Sequence, residues 1–431
     1  MGHSAVKDVY HQVGEKLNEL EVRAPMNLYL YEILKEIFNS REAEIFCKMP
    51  FSLSTVERIS QISKIEIEEL KNILNDMSSK GLVLDLFVNG ENQYSPSPMV
   101  IGIFEFTMMR TGKDVNSKRL AELFHHYLGD ETFFSSNYKN GERISPLRTM
   151  PYEDAIYNGQ HTEILDYEKA YAIVEKSKKF AIGLCSCRHE KHHTGDKECD
   201  IKLDTCSTFD IAADSLIRNG LAKEVTKKEA IANLEHSYDN GLIIMADNVK
   251  KNIFFMCHCC GCCCNALAGL SQFGYPNSVV TSNYIASINE DYCVECGTCV
   301  EACPINAIEM VEYDGDSKPK IDEDFCLGCG VCSLQCANDA MRLVSREKRV
   351  LHPENTFERI ILQCLEKGTL QNQLFDDQSK MSLRFMSGLV GGFLRLPTVK
   401  KALMSDLMRS RFLSMMQSGI KMQGKGWLLE L

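Results

Sequence analysis

Along the first hundred residues, apolar positions recur every three or four residues, the spacing that gives a helix one buried stripe. "MNLYLYEILKEIF" (26–38), "SLSTVERISQIS" (52–63) and "KIEIEELKNILNDMSSKG" (64–81) all follow it, and Gly81 is placed to end the third helix. The period then drops to two in "LVLDLFVNGENQYSPSP" (82–98), a hairpin with Asn89-Gly90 as its turn. Helical spacing returns between 99 and 180 in "VIGIFEFTMMR", "KRLAELFHHYLG" and "DYEKAYAIVEKSKKFA". Beyond 180, residues 181–187, "LIIMADN" (242–248) and "NIFFM" (252–256) read as strands. Thr226 and Glu229 are placed as a capping box for a helix that Gly241 ends. The pattern predicts a multidomain α+β chain in six segments. These are a terminal helix or tail over 1–25, a helix-and-hairpin module over 26–98, and a helical connection over 99–180. A cysteine-rich α+β domain over 181–285, a small module over 286–346 and a helical tail over 347–431 follow.

A chain of 431 residues exceeds one ordinary core, and 44% apolar with 25% charged residues is a globular balance. Cysteine usage changes the picture. Of 20 cysteines, only Cys47 precedes position 185 and only Cys364 follows 336. The opening "MGHSAVKDVYHQVGEKL" has no apolar core of signal-peptide type, and no run of about 18 apolar residues exists for a membrane span. A reducing cytoplasm is therefore expected, where clustered thiols bind metal rather than form disulfides. The net charge of −11 argues against nucleic acid as a partner.

Two segments repeat with an offset of 33 residues: "DYCVECGTCVEACPINAIEMV" from Asp291 and "DFCLGCGVCSLQCANDAMRLV" from Asp324. Each contains C-x2-C-x2-C-x3-C, whose short loops let three thiolates wrap one face of a small metal–sulfur cube. Gly297 and Gly330 stand where the loop turns tightly. Residues 286–346 resemble a bacterial dicluster ferredoxin module. The resemblance implies that Cys293, Cys296, Cys299 and Cys336 hold one [4Fe–4S] cluster, and that Cys326, Cys329, Cys332 and Cys303 hold the second. Pro304 fits the family pattern, whereas Ala337 stands where the second half usually has proline.

Ten more cysteines lie upstream: Cys185, Cys187, Cys199, Cys206, Cys257, Cys259, Cys260, Cys262, Cys263 and Cys264. On a strand over 181–187, Cys185 and Cys187 would share a face, as would Cys257 and Cys259 after "NIFFM". Cys199 and Cys206 read as members of a polar loop. "CCCNALAGLSQFG" (262–274) reads as a helix start, where the macrodipole favours thiolates. Ten thiols exceed the needs of one cluster and nearly match those of two. Arg188 is the expected charge compensator, with Lys191 near it in sequence. His189, His192, His193 and His258 are the available nitrogen ligands; His192 and His193 suit a solvated loop. The rival reading is zinc held by Cys185, Cys187, Cys199 and Cys206 with His189 nearby. "CSCRHE" followed by "CHCCGCCC" is similar to an uncharacterised cysteine-rich domain found ahead of ferredoxin modules in proteins of anaerobes, for which no function is settled.

The pattern over 26–98 resembles the winged-helix superfamily. Its second paired helix, Lys64 to Lys80, carries three lysines against four acids, and residues 1–100 carry ten basic and fifteen acidic residues. Phosphate contacts supply most affinity for DNA, so a structural or protein-docking role is expected. From Ser379 onward nine basic residues face two acidic ones, +7. After Pro397, Met404, Leu407, Met408, Phe412 and Met415 fall near one helical face, suited to an anionic membrane, a partner's groove or the protein's own core.

The functional expectation is a cytoplasmic multi-cluster iron–sulfur electron carrier, peripheral at the membrane if the tail docks there. It would pass electrons between the two [4Fe–4S] clusters and one or two further cysteine-bound clusters, to or from a redox partner protein. The alternatives are a reductive enzyme with the upstream centre as its active site, and a redox-sensing winged-helix regulator.

Overall fold

The computed structural model describes residues 8–112, 115–157, 164–313, 316–375, 377, 380–422 and 424–431. The start of the predicted 1–25 segment and Ser379 lie outside the described residues. The chain divides into two compact units. One comprises residues through Ile144 with 214–221 and 355–431; the other comprises 145–213 and 222–354.

The first unit opens with helices Val9–Asn18, Leu28–Ile37, Ser40–Lys48, Val56–Ser63 and Ile67–Ser79. Asn27, Asn39 and Thr55 each accept a backbone N–H from the first turn, which satisfies donors that a helix start leaves orphaned. Lys64 takes the left-handed conformation (φ 62°) and separates two helices, so the predicted 64–81 helix begins at Ile67. The hairpin pairs β1 (Val83–Val88) with β2 (Glu91–Pro96). Its turn residues Asn89 and Gly90 both have positive φ, as a tight two-residue turn requires. Buried Asp85 on β1 accepts hydrogen bonds from Ser215 and Asn219, both at 2.7 Å, which fastens 214–221 to the hairpin.

The C-terminal part of this unit is five helices, Thr356–Lys367, Leu370–Leu374, Met381–Leu394, Pro397–Met404 and Asp406–Met422. Ile361, Leu365, Leu394, Phe412, Leu413 and Met416 form their core. Phe412 is thus buried, in line with the own-core alternative, while Leu407 and Met415 of the same face are exposed. A second exposed apolar stripe lies before Pro397, where Met381, Phe385, Leu389 and Phe393 follow one another every four residues at 57–86% exposure. No helix among the described residues is long and apolar enough to cross a membrane.

The second unit is built on a six-stranded antiparallel sheet. Its strands are β3 (Leu147–Met150), β4 (Phe180–Leu184), β5 (Asp204–Phe209), β6 (Ala222–Val225), β7 (Ile243–Asp247) and β8 (Phe255–Cys259), in the order β3-β7-β8-β5-β4-β6. The strand β3 was absent from the helical reading of 99–180; its four residues are too few to show a period. Two further pairs complete the unit: β9 (Tyr284–Ile288) with β12 (Met341–Ser345), and β10 (Ile308–Tyr313) with β11 (Asp316–Ile321).

The 33-residue repeat is kept to the residue in these pairs. Met341 faces Ile288, and Ile308 faces Ile321; adding 33 to one member and subtracting it from the other converts one pair into the other. The left-handed backbone positions repeat as well: Glu295 with Gly328, Gly297 with Gly330, Asn306 with Asp339. At Gly328 a side chain is also excluded by contact, since a Cβ would stand 2.0 Å from the Tyr284 carbonyl oxygen.

Candidate metal centres

The upstream cysteines sit where strands of the six-stranded sheet end or turn. The predicted strand 181–187 stops at Leu184; Cys185 is the N-cap of helix Ser186–Thr194 and Cys187 lies in its first turn. The polar run "SCRHEKHHT" has no period-two alternation to hold it in a sheet, and Gly195 (φ 87°) closes the helix. Cys206 lies not on a loop but in β5, opposite Gly183 of β4. Continuing the register of Ser207 with Met256 sets Cys206 beside Cys257 on β8. Cys257 and Cys259 share a strand face, and Cys264 caps helix Asn265–Ser271.

These thiols divide into two sets. Cys187 is hydrogen-bonded to Cys264, Cys264 to Cys259, Cys259 to Cys257, and Cys257 to Cys206. Cys185 lies within electrostatic reach of Cys257 and Cys264, which gives an array of six sulfurs. Hydrogen bonds from Cys206 and then Cys259 hold Cys257 well below the usual thiol range. Cys264 is lowered likewise by Cys187 and Cys259, aided by the backbone N–H groups of Leu267 and Ala266 at its helix start. Burial pushes Cys185 up to about 12.

The second set is Cys199, Cys260, Cys262 and Cys263, whose sulfurs all lie within 4.8 Å of one another. Here Cys260 is brought down to about 5, first by the Cys263 thiol and then by the charge of Arg188. The zinc quartet expected from sequence is not assembled as such: Cys199 joins 260–263, while Cys185, Cys187 and Cys206 belong to the other set.

Arg188 ties the two sets together. It is fully buried and donates to the carbonyl oxygens of His258 (2.8 Å) and Lys202 (3.1 Å), to Thr205 Oγ1 (2.7 Å) and to Cys260 Sγ (3.6 Å). Burial works against its charge, and the neighbouring Cys185 and Cys260 thiols outweigh that, raising its pKa. Its Nε is buried without a hydrogen-bond partner.

The histidine rings have partners of their own. His258 points to the opposite face of β8, where Ser237 Oγ (2.5 Å), Ser207 Oγ (3.0 Å) and Asn233 Nδ2 (3.3 Å) surround its ring. His189 Nε2 pairs with His193 Nε2 at 3.0 Å, and the His192 ring packs edge-on to that of His193. Lys191 pairs with buried Glu190 at 3.0 Å.

In the duplicated module, a cavity is lined by Cys293, Cys296, Cys299 and Cys336, the first expected ligand set. In the second set, the charges of Cys303 and Cys326 both bear on Cys329, and burial raises Cys329 to about 12. The two copies differ in their surroundings. In the second, the Cys326, Leu327, Gly328 and Cys329 carbonyls accept hydrogen bonds from Arg346, Ser282 (N–H and Oγ) and the Tyr152 N–H. Leu327 is 1% exposed there, whereas its counterpart Val294 is 64% exposed. The dense block meets this module at Gly261, which packs on Pro304 next to Cys303. Cysteines of both regions border one hydrophobic core.

No curated protein and no solved structure matches the chain. Residues 286–343 match the family model of the 4Fe-4S dicluster domain, so this part of the chain is an iron–sulfur module of ferredoxin type.

Proposed function

We propose that the chain is a multi-cluster iron–sulfur electron-transfer protein. In this reading Cys293, Cys296, Cys299 and Cys336 hold one [4Fe–4S] cluster, and Cys303, Cys326, Cys329 and Cys332 hold the other. The six-sulfur array holds a further cluster. Bound clusters supply one-electron redox chemistry. The chain's own groups hold them and set their surroundings. The loop carbonyls of 326–329 are held by their donors, which fixes the loop carrying Cys326 and Cys329, and Arg188 offsets thiolate charge. Its unpartnered Nε is a donor that an inorganic sulfide would satisfy, an observation that supports sulfide in the upstream site. The observation that carries the reading is the packing of Gly261 on Pro304, which brings the upstream block against the loop of a ferredoxin ligand.

The N-terminal helices and hairpin serve in this reading as a docking module of winged-helix type. Arg41 pairs with Glu69 at 2.7 Å and Lys80 with Glu42 at 2.6 Å, which engages two of the ten basic residues of 1–100 that phosphate would need. The exposed stripe on Met381–Leu394, with Arg384 exposed within it and +7 across 379–431, suits an anionic membrane surface.

The test is the iron and acid-labile sulfide content of the full chain prepared anaerobically, with EPR of the reduced protein. Iron and sulfide above the content of two cubanes are expected. Sulfide that stops at two cubanes overturns the upstream cluster.

A further inference from the structure

The six-sulfur array and the four-sulfur group differ in arrangement: the six sulfurs are linked one to the next with no three of them within 4.8 Å of one another, whereas the four sulfurs all lie within that distance. In the group of four, Cys262–Cys263 is 3.4 Å, Cys199–Cys260 and Cys260–Cys262 are 3.6 Å, and Cys199–Cys263 is 3.9 Å. Four thiolates on one tetrahedral ion, with metal–sulfur bonds of about 2.3 Å, stand about 3.8 Å apart. On a cubane each thiolate binds a separate iron, which moves the sulfurs to about 6 Å from one another. The same chain provides the comparison. Among the described residues no other three Cys, His, Asp or Glu side chains bring ligand atoms within 4.8 Å of one another, the thiols of the dicluster module included.

We infer that Cys199, Cys260, Cys262 and Cys263 form a tetrathiolate site for a single thiophilic divalent ion, zinc or iron, distinct from the sulfide-containing cluster. This assignment rests on the reading above for the six remaining upstream thiols. Three ligands come from the turn after β8, within four residues of one another, and the fourth from the irregular segment between Gly195 and β5. The ion therefore closes a loop that no sheet ladder holds. Four thiolates around a divalent ion carry a net charge of −2. Arg188 Nη2 on Cys260 Sγ and the Lys197 ammonium on the Cys199 carbonyl oppose that charge. With no ligand position left open, the site is structural: it fixes the block that packs on Pro304.

The experiment compares the anaerobic full chain with Cys199→Ser and Cys262→Ser variants, measuring zinc, iron and acid-labile sulfide per chain. Loss of one equivalent of metal with sulfide and EPR signals unchanged is expected; lost zinc and lost iron identify the ion. Parallel loss of sulfide, or unchanged metal content, overturns the proposal. A second measurement needs no variant: protein from cobalt-supplemented cells is examined by X-ray absorption at the cobalt edge. Four sulfur neighbours with no nearby second metal are expected, and cobalt with a close metal neighbour, or none bound by sulfur, overturns the site. Wild-type sulfide equal to that of two cubanes would instead defeat the wider cluster reading, while the loss of one ion still reports on these four thiols.

Discussion

A Cβ placed on Gly261 would stand 2.6 Å from the carbonyl oxygen of Pro304, so only glycine permits this approach. Gly261→Ala must push the cysteine block away from the loop of Cys303. Overpacking of this kind costs about 1–3 kcal/mol. We expect a lower unfolding midpoint and an altered EPR spectrum from the second cubane, with the first unchanged. Identical spectra and stability would show that the approach is not tightly set.

The ligand crossing proposed for the dicluster module makes a pairwise prediction. Cys296→Ala and Cys336→Ala should remove the same EPR component, although 40 positions separate them (336 − 296). Cys303→Ala should remove the other component, together with Cys329→Ala. If Cys303→Ala instead matched Cys296→Ala, each copy would bind its own cluster.

Arg188 ties the strand ends through its hydrogen bonds and, in the proposed function, offsets sulfur-borne charge. Arg188→Leu leaves the Lys202 and His258 carbonyls without that donor and should cost about 2–4 kcal/mol. Removing a cation beside an anionic centre makes reduction harder, so its potential should fall by roughly tens of millivolts. Arg188→Lys should recover part of the potential but not the stability, because an ammonium cannot reproduce the guanidinium fork. An EPR-monitored redox titration and thermal unfolding check the two halves.

His352 gives the second unit a pH dependence. Burial, reinforced by the positive charges of Arg148 and Lys250, lowers its pKa to about 3, and its Nδ1 pairs with Asn248 Oδ1 at 2.7 Å. Between about 3 and the unfolded value of about 6.5, the unfolded chain binds the proton and the folded chain does not. Stability from this group is full above about pH 6.5 and is lost as pH falls toward 3. From pH 6.5 to 5 the loss approaches about 2 kcal/mol. Urea unfolding followed by circular dichroism should show a smaller loss over that range in His352→Gln.

Docking through the stripe on Met381–Leu394 predicts flotation with anionic vesicles at low salt. Phe385→Glu with Leu389→Glu should reduce the bound fraction at least about tenfold, since each change removes an inserted apolar group and adds repulsion. Equal flotation of this variant and wild type would rule the stripe out.

The sequence discloses most where chemistry and backbone are bound together. The 33-residue repeat predicts the duplicated module, and its register and left-handed positions follow the same offset. Asn89-Gly90 likewise turns the hairpin where its residue types require. The division of the ten upstream thiols is not legible, because Cys199 meets Cys260 across 61 positions through tertiary packing. The helix at Ser186–Thr194 escapes for another reason: it buries Arg188 and Glu190, polar residues that periodicity assigns to the surface. In the tail, an apolar stripe reads alike whether it meets a core or solvent. Phe412 does the first and Phe385 the second.

The unequal burial of Val294 and Leu327 turns a symmetric duplication into an object with two ends. Outer-sphere electron exchange falls off steeply with separation, so a visiting protein can couple well only to the copy whose loop it can touch. That copy is the first, where Tyr292, Val294 and Cys296 lie open to solvent. In the proposed function the second copy, walled in by Tyr152, Ser282 and Arg346, would exchange electrons with its twin and with the upstream centre rather than with a visitor. Under that function, traffic through the module would have an assigned gateway and an assigned interior, imposed by packing around two loops of the same cysteine spacing.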